Sequence, residues 1–228
     1  MPSAQEIQID AEAGFATARD LRSLLQAIHS ANGSKLSLLH PRGKVLFAEG
    51  EPARGVFILR TGRATASISS SEGRLVILRI AQAGAVLGLD SVLRNAFYNT
   101  TVKTIESCRT DFVPRRQLVD LMERNQPTAR AIAQLMSREV GELTDRARSL
   151  LLAQTANARL AKLLLEWSEH AAEIPKSFTH EDLAQMICSS RETVTRLLAA
   201  LNKRRIIYVT TDSILIFDRA ALHKLAAG

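Results

Sequence analysis

Residues 189–203 read Ser189-Ser190-Arg191-Glu192-Thr193-Val194-Thr195-Arg196-Leu197-Leu198-Ala199-Ala200-Leu201-Asn202-Lys203. Wound as a helix at about 100° per residue, this stretch separates into two faces. Val194, Leu197, Leu198 and Leu201 fall on one; Arg191, Glu192, Thr195, Arg196, Asn202 and Lys203 fall on the other. Ser189 or Ser190 can cap the helix, because a serine oxygen accepts one of the unpaired amide N–H groups of the first turn. The polar face carries what the DNA major groove selects: an arginine forks onto guanine O6 and N7, and a carboxylate accepts from cytosine N4. The two-faced pattern alone is equally that of an ordinary amphipathic surface helix.

The flanking sequence narrows the choice. Thr179-His180-Glu181-Asp182-Leu183-Ala184-Gln185-Met186-Ile187 predicts another helix, with Thr179 as cap, Asp182 in its first turn, and Leu183, Met186 and Ile187 spaced for burial. Only Cys188 and a serine or two separate the helices, so the chain must turn sharply, as in a helix-turn-helix. Downstream, Ile206–Thr210 and Ile214–Phe217 are β-rich runs joined at Thr211-Asp212-Ser213 and predict a hairpin. Helix, turn, helix and hairpin in that order make a winged helix-turn-helix.

The segment CSSRETVTRLLAALNKRRII, from Cys188 to Ile207, resembles the recognition segment of the cyclic-AMP receptor and fumarate-nitrate regulator (Crp/Fnr) family of bacterial transcription factors. The resemblance implies that Arg191, Glu192 and Arg196 read base edges in each DNA half-site. Ser190, Thr193, Thr195, Lys203 and Thr179 join them as candidate DNA contacts. Cys188 departs from the family, where glycine or another small residue is common in the turn.

Composition agrees with a soluble regulator. A chain of 228 residues can hold two domains with separate cores. The net charge of +7 favours a polyanionic partner. That excess is spread along the chain: Pro175–Gly228 holds eight Lys/Arg against five Asp/Glu, and Lys44–Arg124 twelve against eight. The local cluster Arg191, Arg196, Lys203, Arg204 and Arg205 is the more informative feature, because phosphate neutralisation depends on nearby cations. No apolar run approaches the roughly 20 residues that span a bilayer, and no basic-then-apolar export signal opens the chain, so a cytoplasmic location without membrane contact is expected. Cys108 and Cys188 are too few for a four-cysteine cluster and are read as free thiols in a reducing compartment.

Asp20–Ser30 predicts a short packing helix, and from Leu39 the pattern turns to β. Strands are expected at Lys44–Ala48, Val56–Leu59, Ala64–Ser69, Leu75–Ile80, Thr100–Glu106 and Asp111–Val113, with glycine-rich turns between them. Phe47-Ala48-Glu49-Gly50-Glu51-Pro52 followed by Val56-Phe57-Ile58-Leu59-Arg60-Thr61-Gly62 resembles the opening strands of the same family's cyclic-nucleotide-binding jelly roll. Nucleotide-binding relatives carry Gly-Glu-Leu at one end of a phosphate cassette, for the ribose hydroxyl, and Arg-Ser at the other, for the cyclic phosphate. This chain has Gly88-Leu89-Asp90 and then Tyr98-Asn99 or Asn99-Thr100, so the glutamate is displaced or lost and the arginine is absent. A buried phosphate without its guanidinium keeps its desolvation cost and loses a charge-assisted pair. Cyclic AMP bound in the family's usual way is therefore not expected, and no cofactor is assigned. Gly88, Leu89, Asp90, Tyr98, Asn99, Thr100 and Thr144 are the candidate pocket for an unidentified small molecule. In the ordinary reading, Gly88 makes a tight turn, Leu89 fills the core and Asp90 faces solvent.

Arg115–Glu123 predicts a short helix, and a long one begins at Asn125-Gln126-Pro127, where proline suits the first helical position. Ala133, Met136, Val140, Leu143, Ala147 and Leu150 recur at spacings of three and four, the pattern of a two-helix dimer seam. In relatives a threonine near Thr144 reaches the partner's nucleotide; here Asp145 follows it. A hinge is expected at Ala153–Asn157, an amphipathic helix carrying Leu160, Leu163, Leu164 and Trp167 after it, and a short final helix capped by Asp218.

The fold expected is α+β: a cyclic-nucleotide-binding-like jelly roll over residues 1–125, a dimerisation helix over 126–153 and a winged helix-turn-helix over 154–228. The expected partners are double-stranded DNA carrying an inverted repeat and a second copy of the chain, with RNA polymerase a further candidate. Three alternatives remain open: a cyclic-nucleotide-responsive regulator with a rebuilt cassette, a nucleotide-binding signalling module without a role on DNA, and a haem sensor using His40 or His29. An enzyme is not expected, because the five histidines lack metal-ligand spacing and no glycine-rich phosphate loop or Gly-x-Ser-x-Gly elbow is present.

Overall fold

The computed structural model describes residues 36–152, 155–170, 173–175, 178–210 and 213–227. The helix expected over Asp20–Ser30 and part of the hinge expected at Ala153–Asn157 lie outside them. The chain forms two compact units, Met1–Thr65 with Ala81–Glu139, and Ala66–Ile80 with Val140–Gly228.

The β-rich half runs β1 (Leu36–His40), β2 (Val45–Phe47), β3 (Gly55–Thr61), β4 (Ala64–Ser69), β5 (Leu75–Ala81), β6 (Val86–Leu87), β7 (Thr101–Thr104) and β8 (Cys108–Pro114). These strands make two four-stranded sheets, β1-β8-β3-β6 and β2-β7-β4-β5. The β pattern starts earlier than expected, at Leu36 instead of Leu39, because Leu36–His40 pairs antiparallel along Phe112–Cys108. Pairing on both sides, with β1 and with β3, likewise extends β8 beyond the expected Asp111–Val113. The expected Thr100–Glu106 strand contracts to Thr101–Thr104, and Lys44–Ala48 contracts to Val45–Phe47, whose pairing with β7 contains a register shift. Ala64-Thr65-Ala66-Ser67 is buried without alternation, as befits small residues in an interior strand. Val56, Ile58, Leu59, Leu87, Val102 and Val113 anchor the core of this half.

Three helices follow or interrupt these strands: α1 (Leu89–Leu93), α2 (Arg115–Arg124) and α3 (Gln126–Leu152). The long helix starts one residue before Pro127, and the Asn125 side chain accepts the Thr128 N–H at 3.0 Å. Only Thr128, Ala131 and Ile132 of α3 are buried. Of the expected seam, Ala133, Val140, Leu143 and Ala147 are exposed and Met136 and Leu150 half-buried. Val140 at 59% exposure and Leu143 at 41% form an apolar stripe on this helix without a cover among the described residues.

The remaining elements are α4 (Ala156–His170), β9 (Glu173–Pro175), α5 (His180–Met186), α6 (Arg191–Lys203), β10 (Ile207–Val209), β11 (Ser213–Ile216) and α7 (Arg219–Ala227). The stretch before Pro175 is an edge strand, an element not expected from the sequence: Ile174 pairs with Ile214 and gives the wing three strands, β10-β11-β9. Pro175 is tolerated at that edge because no ladder bond needs its missing N–H. Asp218 caps α7 by accepting the Ala221 N–H at 2.8 Å. Leu160, Leu164, Met186, Ile187, Val194, Leu201, Ile207 and Leu222 are at most 2% exposed and form one core beneath α6. Leu197 is only half-buried, so the apolar face of α6 is narrower than the wheel suggests.

Candidate nucleic-acid interface

Two caps hold the helix-turn-helix. Thr179 opens α5 with a complete capping box: its Oγ1 accepts the Asp182 N–H at 3.1 Å, and the Asp182 carboxylate accepts from the Thr179 N–H at 2.8 Å and hydroxyl at 2.7 Å. Ser190, rather than Ser189, caps α6 by accepting the Thr193 N–H at 3.2 Å. Between the helices, Cys188 adopts φ 51°, and the Ser189 N–H reaches back to the Ala184 carbonyl at 2.9 Å. This is the left-handed closing residue of a Schellman turn, where glycine would meet no Cβ penalty. Arg205 repeats the device after α6, with φ 56° and the Ile206 N–H bonded to Leu201 O at 3.0 Å.

Arg191, Glu192, Thr195, Arg196 and Lys203 are all exposed on α6. Among the described residues neither Arg191 nor Arg196 spends its guanidinium on a hydrogen bond or an ion pair. The Glu192 backbone N–H, then the Ser190 hydroxyl, then Arg191, hold the Glu192 carboxyl below the usual carboxylate range, so it stays an acceptor. Other expected contacts are partly committed. The Thr179 hydroxyl donates to Asp182, Thr195 Oγ1 donates to Arg191 O at 2.9 Å, and the Thr193 hydroxyl lies 3.1 Å from Ser190 Oγ. Asn202 drops out of the reading face: its Oδ1 accepts the Val209 N–H at 3.2 Å and ties α6 to the wing. His180 enters it unannounced, with Nδ1 at 2.8 Å from Thr195 Oγ1. The direction of this contact follows the imidazole tautomer, and in either case Nδ1 is engaged and Nε2 is the other ring nitrogen. Nothing in the local pattern of His180 signals a partner fifteen positions away.

The cassette region is built differently. Gly88 has φ 80°, and a Cβ there would sit 2.6 Å from the Tyr98 ring. Tyr98 is buried, stacks on Phe47 with centroids 3.9 Å apart, and donates its hydroxyl to Gly55 O at 2.5 Å. Burial raises its pKa, so it remains a phenol. Leu89 is buried as expected. Asp90 is not simply solvated: its Oδ2 accepts from Asn99 Nδ2 at 2.7 Å and Arg94 Nη2 at 3.1 Å, and Ser91 Oγ lies 3.3 Å from Oδ1. Thr100 is half-buried, and Thr144 is exposed on α3 with its hydroxyl given to Val140 O at 2.8 Å.

Two side chains suited to other chemistry are already occupied. His40 is buried with Nε2 at 2.9 Å from Thr110 Oγ1, and burial, then Lys44, lowers its pKa. Cys108 is buried and bonded to Arg63 O at 3.2 Å. No cluster of three or more metal-ligating side chains occurs among the described residues, and none of the described helices is long and apolar enough to cross a membrane.

A jelly roll followed by a winged helix-turn-helix with a capped, guanidinium-bearing recognition helix defines a DNA-binding transcriptional regulator. Residues 39–125 match the cyclic nucleotide-binding domain family and residues 158–225 the Crp-like helix-turn-helix domain family. The chain is 28% identical over 197 residues to the CRP-like cAMP-activated global transcriptional regulator of Mycobacterium tuberculosis, covering 82% of this chain and 86% of that one. It is 27% identical over 194 residues to the Fumarate and nitrate reduction regulatory protein of Yersinia pestis, covering 82% and 77%. The structure of FixK2 from Bradyrhizobium japonicum shares the fold at TM-score 0.76 and 23% identity, covering 86% of this chain and 99% of that one. The chain belongs to the Crp/Fnr family of transcription factors.

Proposed function

We propose that the protein is a cytoplasmic, homodimeric regulator that reads an inverted DNA repeat and is not switched by cyclic AMP in the way its cAMP-activated relatives are. The observation that carries this reading is the contrast in commitment: Arg191 and Arg196 are exposed and unspent on α6, whereas Asp90 is spent on Arg94 and Asn99. In each half-site Arg191 and Arg196 contact guanines and Glu192 accepts from cytosine. Ser190, Thr193, Thr195, Lys203 and Thr179 supply positioning and phosphate contacts around them. The stripe Ala133, Met136, Val140, Leu143, Ala147 and Leu150 packs against its copy, each large apolar side chain contributing about 1.5–3 kcal/mol on full burial. Two recognition helices then lie about 34 Å apart, one turn of DNA. RNA polymerase is a further partner on this reading, and no catalytic role is assigned.

The sensor residues do not fit a cyclic nucleotide. A phosphate seat needs an arginine free to face the anion, and the cassette offers Tyr98, Asn99 and an Asp90–Arg94 pair whose charges are spent on each other. Sedimentation of the protein with an inverted-repeat duplex tests the dimer: two chains per duplex are expected, and one overturns it. Calorimetry with cyclic AMP tests the sensor reading: no binding at micromolar concentration is expected, and micromolar binding overturns it.

A further inference from the structure

Three consecutive carbonyl oxygens close the first helix of the helix-turn-helix, and each receives an arginine from a different element. Arg146, on α3, donates Nη2 to Met186 O. Arg159, on α4, donates Nε to Ile187 O at 2.7 Å. Arg74, just after the turn that opens at Ser70 between β4 and β5, donates Nη2 to Cys188 O at 3.3 Å. All three arginines and all three acceptors lie within one compact unit.

The chemistry of that place favours cations. The last carbonyls of a helix lack intrahelical donors and form the negative end of its dipole, so guanidinium groups there make charge-assisted bonds. Ordinary helix capping does not explain the set. The turn already has its Schellman bond from Ser189 N–H to Ala184 O, and one basic side chain would serve the rest. Arg146 is also held at a cost: burial lowers its pKa, Glu166 and then Cys188 only partly offset this, and its Nε is buried with no partner among the described residues. A guanidinium desolvated in this way is a weak source of net stability, which points to a positional role.

We infer that Arg74, Arg146 and Arg159 form a clamp that fixes the turn at Met186–Cys188 and thereby sets the pose of the recognition helix relative to the C-terminal part of α3 and the β4–β5 turn. Ser190, the cap of α6, is two residues beyond the last clamped carbonyl, so a rotation of the turn is carried directly into Arg191 and Arg196. The three are positioning residues: none needs to touch DNA. This inference rests on the dimeric reading above, because pose matters most where two recognition helices must match one half-site spacing.

The test is selection from duplex libraries in which two half-sites are separated by spacers of varied length, using the full chain and its Arg146→Met, Arg146→Lys and Arg74→Ala variants. Wild type should select one narrow spacing. Arg146→Met should accept a broad range of spacings while keeping the same half-site letters, Arg146→Lys should restore much of the selectivity, and Arg74→Ala should broaden it least. Equal weakening at every spacing, or no change, would overturn the clamp. Amide hydrogen exchange on the free protein gives a reading that needs no DNA. Arg146→Met should speed exchange over 189–193 about tenfold, the factor expected for one lost hydrogen bond to a charged group, with Leu163–Leu165 unchanged. Uniform acceleration, or none, would also overturn it. A wild type that selects no spaced repeat refutes the dimer reading instead, and the exchange pattern then decides the clamp alone.

Discussion

The recognition helix and the sensor cassette are both polar, both carry arginine and acidic side chains, and differ in what those groups are bonded to. On α6 the guanidinium tips of Arg191 and Arg196 face solvent, and Glu192 is kept ionised by its own N–H and the Ser190 hydroxyl. In the cassette, Asp90, Ser91, Arg94 and Asn99 satisfy one another, and Tyr98 lies against Phe47 with its hydroxyl on Gly55 O. A group already paired gains little from an incoming ligand, since binding must first break what holds it. On the reading proposed here, resemblance to a family transfers unevenly: a function is expected to carry over where the matching residues remain uncommitted, and to be lost where the same region has closed on itself.

The largest effect that can undo this contrast lies on the DNA side. Arg196→Ala should weaken specific binding by about 1–3 kcal/mol and relax one base position per half-site. Competition against single-base operator variants checks this; equal weakening on all sequences would mean a phosphate contact instead. Next comes the cassette. Asp90→Ala should lower unfolding stability by about 1–2 kcal/mol, because Asn99 and Arg94 lose a charged acceptor in a half-buried setting. Denaturant titration measures it, and cyclic AMP should still fail to bind the variant.

Smaller effects bear on the geometry of the turn. Ser190→Ala removes the acceptor of the Thr193 N–H and should lower stability by about 1 kcal/mol, read as a lower Tm. Cys188→Gly should act in the opposite direction. Relief of the left-handed Cβ strain at φ 51° outweighs the added freedom of the unfolded chain, for a gain of about 0.5–1 kcal/mol in the same assay. A loss would mean that the thiol makes packing contacts worth more than the strain.

Much of the reader was legible because its signals are local. Thr179 with Asp182 three residues on, Ser190 before Arg191, and the apolar set Val194, Leu198 and Leu201 all act within one or two helical turns. Most strands were legible, but Leu36–His40 and Glu173–Pro175 were not, since they owe their pairing to partners far along the chain. The cassette's missing arginine could be read directly, whereas its replacement network could not, because Asp90 and Asn99 meet only after the intervening loop closes. Asn202 reads as polar-face by angle alone, yet the wing claims its side chain. Arg146 and Met186 are forty residues apart, and Arg74 and Cys188 more than a hundred, so no period or motif announces the clamp.

An uncommitted reader beside a closed sensor is tested most sharply by selecting binding sites from a random duplex library. The purified protein is used at one fixed, moderate salt concentration, in parallel with and without cyclic AMP. An inverted repeat with guanine-containing half-sites, enriched equally in both arms, is the expected result. Enrichment confined to the arm containing cyclic AMP, or no enriched repeat in either, would refute that pairing of reader and sensor.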